Sequence, residues 1–226
     1  MPATASSAPN RRAPGKGGIR RANEAAILRA AERVFARAGF AGARMAEIAD
    51  AAGLPKPNLH YYFRSKRAIY RAVLDNILAL WLAETDAITE AAEPRQALEQ
   101  YIRAKMRFSR LYPDASRVFA NEIIQGGAEI GDFLRGDMKV LIERKAAIIR
   151  RWIAAGRMAP IDPRHLFVAI WSVTQTYADF AVQVHAVMGV AALSEAQFAA
   201  ATDEIVALIL RGCGIQEPHQ LCYDRA

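Results

Sequence analysis

The stretch Ala43-Arg44-Met45-Ala46-Glu47-Ile48-Ala49-Asp50-Ala51-Ala52-Gly53-Leu54-Pro55-Lys56-Pro57-Asn58-Leu59-His60-Tyr61-Tyr62-Phe63 decides the fold. It holds two short helical patterns, one on each side of Gly53. Two helices joined by a tight turn that contains glycine form a helix-turn-helix unit. Ala49 must be small, because the second helix crosses close above it. Gly53 supplies the positive φ that the turn needs. Ile48, Leu54, Leu59 and Tyr62 then fill the space between the helices. The exposed face of the second helix keeps Lys56, Asn58, His60 and Tyr61. These are donors, acceptors and an aromatic ring, the side chains that reach base edges and phosphates. A plain αα-hairpin with a glycine turn shares this skeleton, so the surrounding sequence must separate the two.

The charge of that surrounding sequence is uneven. The chain has 226 residues and a formal net charge of +7. Residues 1–70 hold 13 Lys and Arg against 4 Asp and Glu, and residues 71–226 hold 17 against 19. All of the excess positive charge therefore lies in the first third. That asymmetry points to an N-terminal module that meets a polyanion and a body that does not. A length of 226 residues suits one large domain or two small ones, with enough chain for a real core.

Outward from the motif, nearly everything reads as helix. Residues 1–18 are rich in Ala, Ser, Pro, Gly and Arg without hydrophobic period, and are expected to be a disordered basic arm. Ile27, Ala30, Ala31, Val34, Phe35 and Ala38 recur at helical spacing, and Gly39 ends that helix. Ser65 caps a long helix that begins near Lys66 and carries Ile69, Val73, Leu74, Ile77, Leu80 and Trp81. Further helices are predicted over 95–111, 113–125, 131–156, 163–188 and 194–212, with Pro113 and Pro163 at helix starts. No run alternates with a period of two, so no sheet is predicted. The fold class is all-α, with a three-helix DNA-binding domain over 19–66 and a helical body over 67–226.

Other classes find little support. The apolar stretches near 166–178 and 180–194 are broken by Gln175, Asp179, Gln183 and His185, so no membrane span is expected. No apolar segment follows Arg11, Arg12 and Lys16, so no secretory signal is read. The two cysteines, Cys213 and Cys222, suggest neither a disulfide framework nor a metal site, and a reducing cytoplasm is expected. His60, His165, His185 and His219 are scattered, and HExxH, GxSxG, P-loop and GxGxxG patterns are missing. No catalytic residue, metal or cofactor is expected.

The motif region resembles the DNA-binding domain of TetR-family transcriptional regulators. Gly39-Phe40, Ile48-Ala49-x-x-Ala52-Gly53-Leu54 and Leu59-x-Tyr61-Tyr62-Phe63-x-Ser65-Lys66 carry the resemblance, over about residues 20–70. Two positions depart from it: the family usually has Thr at Ala43 and Ser at Pro55, so two hydroxyl contacts to phosphate are lost. The resemblance implies that Lys66 contacts phosphate. Lys56, Asn58 and His60 are then expected in the major groove, Tyr61 on phosphate, and Arg44 near the DNA backbone. The arm residues Arg11, Arg12, Lys16, Arg20 and Arg21 add nonspecific attraction.

The body resembles one branch of that family, the regulators of pyrimidine utilisation. Ile77-Leu78-x-x-Trp81-Leu82, Tyr112-Pro113-x-Ala115-Ser116-Arg117-x-Phe119, Met158-Ala159-Pro160-Ile161-Asp162-Pro163-x-His165-Leu166 and Ile170-Trp171-x-x-Thr174-Gln175-x-Tyr177-Ala178-Asp179-Phe180-Ala181 carry that likeness. It implies a small-molecule effector, uracil or thymine. Trp171, Gln175 and Asp179 are spaced i, i+4, i+8 and share one helix face. Trp offers a platform for a planar ring, and Gln offers one acceptor and one donor for an imide edge. Trp81 is a candidate opposite wall, and Lys105, Asn121, Glu122 and Tyr177 are candidate polar groups. Each also has a plain reading: core for the two Trp, a satisfied amide or dimer contact for Gln175, a cap or ion pair for Asp179. The resemblance further implies a homodimer on a palindromic operator in double-stranded DNA. Phe198, Ile205, Leu208 and Ile209 form an apolar stripe that suits either a dimer interface or internal core. An effector unrelated to pyrimidines is the alternative.

Overall fold

The computed structural model describes residues 16–82 and 86–215. Among them all regular structure is helical, in the order α1 (Lys16–Gly42), α2 (Met45–Ala52), α3 (Lys56–Tyr62), α4 (Lys66–Leu82), α5 (Pro94–Leu111), α6 (Pro113–Ile124), α7 (Gly131–Phe133), α8 (Lys139–Ala154), α9 (Pro163–Asp179), α10 (Ala181–Met188) and α11 (Glu195–Gly212). Among the described residues no helix is long and apolar enough to cross a membrane. Arg11, Arg12, His219 and Cys222 lie outside the described residues. The last three residues of the expected arm, 16–18, already belong to α1.

Local chemistry sets the helix ends. The α1 run is broken at Gly39, at φ 65° and ψ 176°. That backbone geometry is open almost only to glycine. Gly53 closes α2 at φ 67° and ψ 29°, the left-handed helical region. Glu93 caps α5 by accepting from the Gln96 N–H at 3.0 Å. Asp162 caps α9 by accepting from the Arg164 N–H at 2.9 Å. At α11, Ser194 Oγ accepts from the Gln197 N–H at 3.2 Å, and Gln197 Oε1 accepts from the Ser194 N–H at 2.9 Å. This is a reciprocal capping box.

The helical pattern predicts a single helix over 163–188, but the structure breaks it at Phe180. The cause comes from α6. Arg117 Nε donates to the Ala178 carbonyl at 3.2 Å, an acceptor that a continuous helix would use four residues on. The cation also suits the negative end of α9. The predicted helix over 131–156 is likewise interrupted, by a wider π-type turn at Leu134–Met138.

Two apolar cores result. The first joins α1–α4 through Ile27, Phe35, Ile48, Leu59, Ile69 and Leu74, and continues into the body through Phe108, Val118 and Phe119. The second lies among α5, α8, α9 and α11, around Tyr101, Ile149, Trp152, Phe167, Ile170 and Leu210. The stripe on α11 is divided by this packing. Phe198 is buried against Tyr177, with ring centroids 5.6 Å apart, whereas Leu208 is 57% exposed. Ile205 and Ile209 lean on the second core.

The two positive-φ glycines differ in what they demand. Gly39→Ala should cost about 1–3 kcal/mol in urea denaturation, because its backbone region excludes a Cβ. Gly53→Ala should cost about 1 kcal/mol, and Gly53→Asn less, because asparagine tolerates the left-handed region. No atom lies within 4 Å of a Cβ built at either position, so the cost is conformational. Equal stability of the Gly39→Ala and wild-type chains would contradict this.

Candidate functional site

The helix-turn-helix face is assembled by α2 and α3. Leu59 is the buried residue of α3, and its backbone carbonyl holds the Phe63 N–H at 2.9 Å. With Leu59 inward, Lys56, Asn58, His60 and Tyr61 are all exposed, and Tyr61 is 72% so. Tyr61 meets the Tyr62 ring edge-on at 5.2 Å. Arg44 stands exposed at the start of α2, its N–H donating to the Glu47 carboxylate at 3.2 Å. These five side chains are all exposed, at the start of α2 or on α3, the two helices that flank the glycine turn.

Lys66, expected on phosphate, is engaged within the chain. Its ammonium donates to the carbonyls of Phe40 at 2.6 Å, Ala43 at 2.9 Å and Ala41 at 3.3 Å. It also lies 4.6 Å from the centre of the Phe40 ring. An ammonium has three N–H donors, and each here has a backbone acceptor. These contacts clamp α4 to the α1–α2 turn.

In the body, the candidate residues fall into two groups. Trp81 packs against Phe119 at 4.1 Å and Phe108 at 5.7 Å. The ammonium of buried Lys105 lies 4.7 Å from the Trp81 ring centre and 5.8 Å from that of Tyr101. The Tyr101 hydroxyl accepts from Trp171 Nε1 at 2.8 Å. One chain of contacts thus joins Trp81, Lys105, Tyr101 and Trp171, across α4, α5 and α9. Gln175, half-buried, stands one turn beyond Trp171 on α9. Among the described residues the buried indole N–H of Trp81 meets no acceptor. Trp152 shares that property inside the second core.

The remaining candidates face elsewhere. Asp179 accepts from Ser116 Oγ at 2.6 Å, and burial pushes its carboxyl above the usual range. Glu122 is not turned to the Trp171 row: it accepts from the Tyr70 hydroxyl at 2.9 Å and the Glu129 N–H at 2.7 Å. Glu122, expected among the polar groups of the pocket, is engaged by these two partners. Tyr70 lies on α4, and burial, then the Glu122 carboxylate, push its phenol well above the ordinary value. Glu129 in turn holds Arg67 at 2.6 Å and Arg71 at 2.5 Å. The Arg67 hydrogen bond leads in holding its carboxyl below the usual range. Tyr177 packs on Phe198 of α11, and Asn121 is half-buried on α6.

Tyr101, Tyr70, Ser116 and Glu129 were not singled out in the sequence. Their partners lie 70, 52, 63 and 58–62 residues away, so no local spacing reveals them. A polar cleft of about 570 Å³ also lies along α5, lined by Asp86, Gln96, Glu99, Gln100, Arg103 and Arg107 among others. None of the candidate effector residues lines it.

A helix-turn-helix with an exposed polar recognition face, ahead of a helical body with its own core, defines a DNA-binding transcriptional regulator. Comparison with known proteins gives the family. Residues 27–73 match "Bacterial regulatory proteins, tetR family", and residues 74–216 match "YcdC-like protein, C-terminal region". The chain belongs to the TetR family. It is 46% identical over 191 residues to the HTH-type transcriptional regulator RutR of Escherichia coli K12, covering 84% of this chain and 90% of that one. The HTH-type transcriptional repressor NicS of Pseudomonas putida is 28% identical, over 58% of this chain and 61% of its own. Among solved structures, AibR in complex with isovaleryl coenzyme A and operator DNA superposes with a TM-score of 0.64 at 17% identity, covering 82% of this chain and 97% of that one. A TetR-like regulator from Rhodococcus sp. RHA1 gives 0.63 at 23% identity, over 84% and 94%. At such identities the structural likeness speaks for the fold alone. Regulators of this family bind operator DNA and small-molecule effectors, and are typically dimers.

The Lys66 clamp makes a testable distinction. Lys66→Met should lower stability by about 1 kcal/mol, because three backbone carbonyls, exposed or part-buried, lose a charged donor. The loss of DNA binding should then track the loss of folded protein in thermal denaturation. Unchanged stability with weaker binding to every duplex would return Lys66 to the phosphate backbone.

Proposed function

We propose that this chain is a pyrimidine-responsive TetR-family regulator, without catalytic activity, acting as a cytoplasmic homodimer on a palindromic operator. The observation that carries the effector reading is the unsatisfied indole N–H of Trp81 beside the Lys105 ammonium. A buried donor without an acceptor costs about 1–3 kcal/mol. A ligand carbonyl placed there would remove that cost. Trp171 and Gln175 on α9 would supply the ring platform and the donor–acceptor edge that uracil or thymine needs. Asn121 and Tyr177 are further candidate polar groups. The likeness to RutR over both halves of the chain supports the same reading.

Lys56, Asn58 and His60 are the proposed base-reading residues, with Arg44 and Tyr61 on phosphate. One α3 helix reads few bases, so two copies are required. The exposed apolar side chains Val168, Val182, Val187, Met188 and Leu208 on α9–α11 offer a surface for the second copy. Effector occupancy reaches the DNA through α6. One end of α6 holds α9 through Ser116–Asp179, and the other holds α4 through Glu122–Tyr70.

Uracil or thymine should stabilise the chain by mass action, by about 2.7 kcal/mol at one hundred times Kd, and so raise its melting temperature. Trp171→Ala or Gln175→Leu should remove that shift. No shift at millimolar pyrimidine would sink the effector assignment and leave the DNA-binding role intact. The relay predicts a second result. Tyr70→Phe should keep the uracil-induced thermal shift yet release less DNA on uracil addition, measured by fluorescence anisotropy with a duplex selected from a randomised pool. Full release by this variant would rule the relay out.

A further inference from the structure

We propose that Asn23 is a positioning residue for the recognition helix, acting through Tyr62. The Asn23 amide, on α1, donates from Nδ2 to the Tyr62 hydroxyl at 2.8 Å. Tyr62 is the last residue of α3. Among the described residues this is the one side-chain hydrogen bond between α3 and another helix. Asn23 and Tyr62 are both half-buried, so water competes only partly for the bond.

The reason the bond matters is the poverty of α3 in other anchors. It is 7 residues long, and Leu59 is its buried residue. No side chain caps its start at Pro55. Leu59 and the partly buried Tyr62 ring are the contacts of α3 with the core, and apolar packing is non-directional, so it sets the angle about the helix axis only loosely. Successive side chains are 100° apart on a helix, so a modest roll redistributes Lys56, Asn58 and His60 relative to the base edges. The phenol tie at the C-terminal end supplies a second fixed point and removes that freedom. It also fixes Tyr61, whose ring rests edge-on against Tyr62. One turn of α1 is engaged in this surface. Arg20 pairs with Glu24 at 3.0 Å, while Asn23 turns to α3.

A positioning role separates sequence-specific from nonspecific binding. Phosphate attraction depends on charge and tolerates a rolled helix, but base contacts need geometry. The experiment measures full-length wild-type, Asn23→Ala, Tyr62→Phe and the double variant by fluorescence anisotropy. Two duplexes of equal length are used: one selected by the wild-type chain from a randomised pool, and one of random sequence. Each single variant should weaken the selected duplex about tenfold, the worth of a hydrogen bond of this kind, and leave the random duplex unchanged. The double variant should be no weaker than either single one, because both remove the same bond. Tyr62→Phe keeps the ring and its packing, so it reports on the bond even where Asn23→Ala perturbs α1. Equal losses on both duplexes, additive losses in the double variant, or no loss on the selected duplex would each overturn the proposal.

Discussion

The burial of α4 against two partners is the constraint on which the rest of the molecule depends. Ile69, Tyr70, Val73, Leu74 and Ile77 are all buried, and they pack in one core with α1 on one side and α6 on the other. The helix that leaves the DNA-reading module is thus also a wall of the sensing body. A hydroxyl in such a core must find a partner, and Tyr70 finds the equally buried Glu122. Glu122 in turn fixes the backbone of the loop that carries Glu129, and Glu129 collects Arg67 and Arg71 from the same α4. Neither half of the chain can shift along α4 without disturbing these bonds.

Charge is arranged around this shared helix with a clear division. The first 70 residues carry a net +9 and the remainder a net −2. Attraction to any DNA follows from the first value and falls as salt rises. The proposed base-reading side chains are a few uncharged and charged tips on α3, a helix that follows the backbone turns at Gly39 and Gly53. The body, close to neutral overall, still encloses the Lys105 ammonium between two aromatic faces. Cation–π contact offsets part of the cost of burying it.

Several side chains whose types suggest binding have internal duties instead. Lys66 closes three backbone carbonyls at the end of the α1 run. Asp179 holds Ser116, and Arg117 from the same helix ends α9 early by taking the Ala178 carbonyl. These are the bonds that lock α6 to α9 and give the second half of the chain its bend at Phe180. Residue type announces chemical capacity. The use of that capacity depends on which acceptor stands nearby after folding.

The helices and the helix-turn-helix were legible in the sequence because their causes are local. Apolar spacing near 3.6 residues, Pro at Pro113 and Pro163, and Gly at Gly39 and Gly53 act within one or two turns. The recognition face followed from the same periodicity, since Leu59 inward puts Lys56, Asn58, His60 and Tyr61 outward. The row Trp171, Gln175, Asp179 was visible for the same reason, but not which partner each would meet. Tyr101, Ser116 and Tyr70 come from other helices, 52–70 residues from the groups they satisfy. Only the tertiary structure decided those pairings, because a buried polar group takes its partner from whichever helix is packed against it.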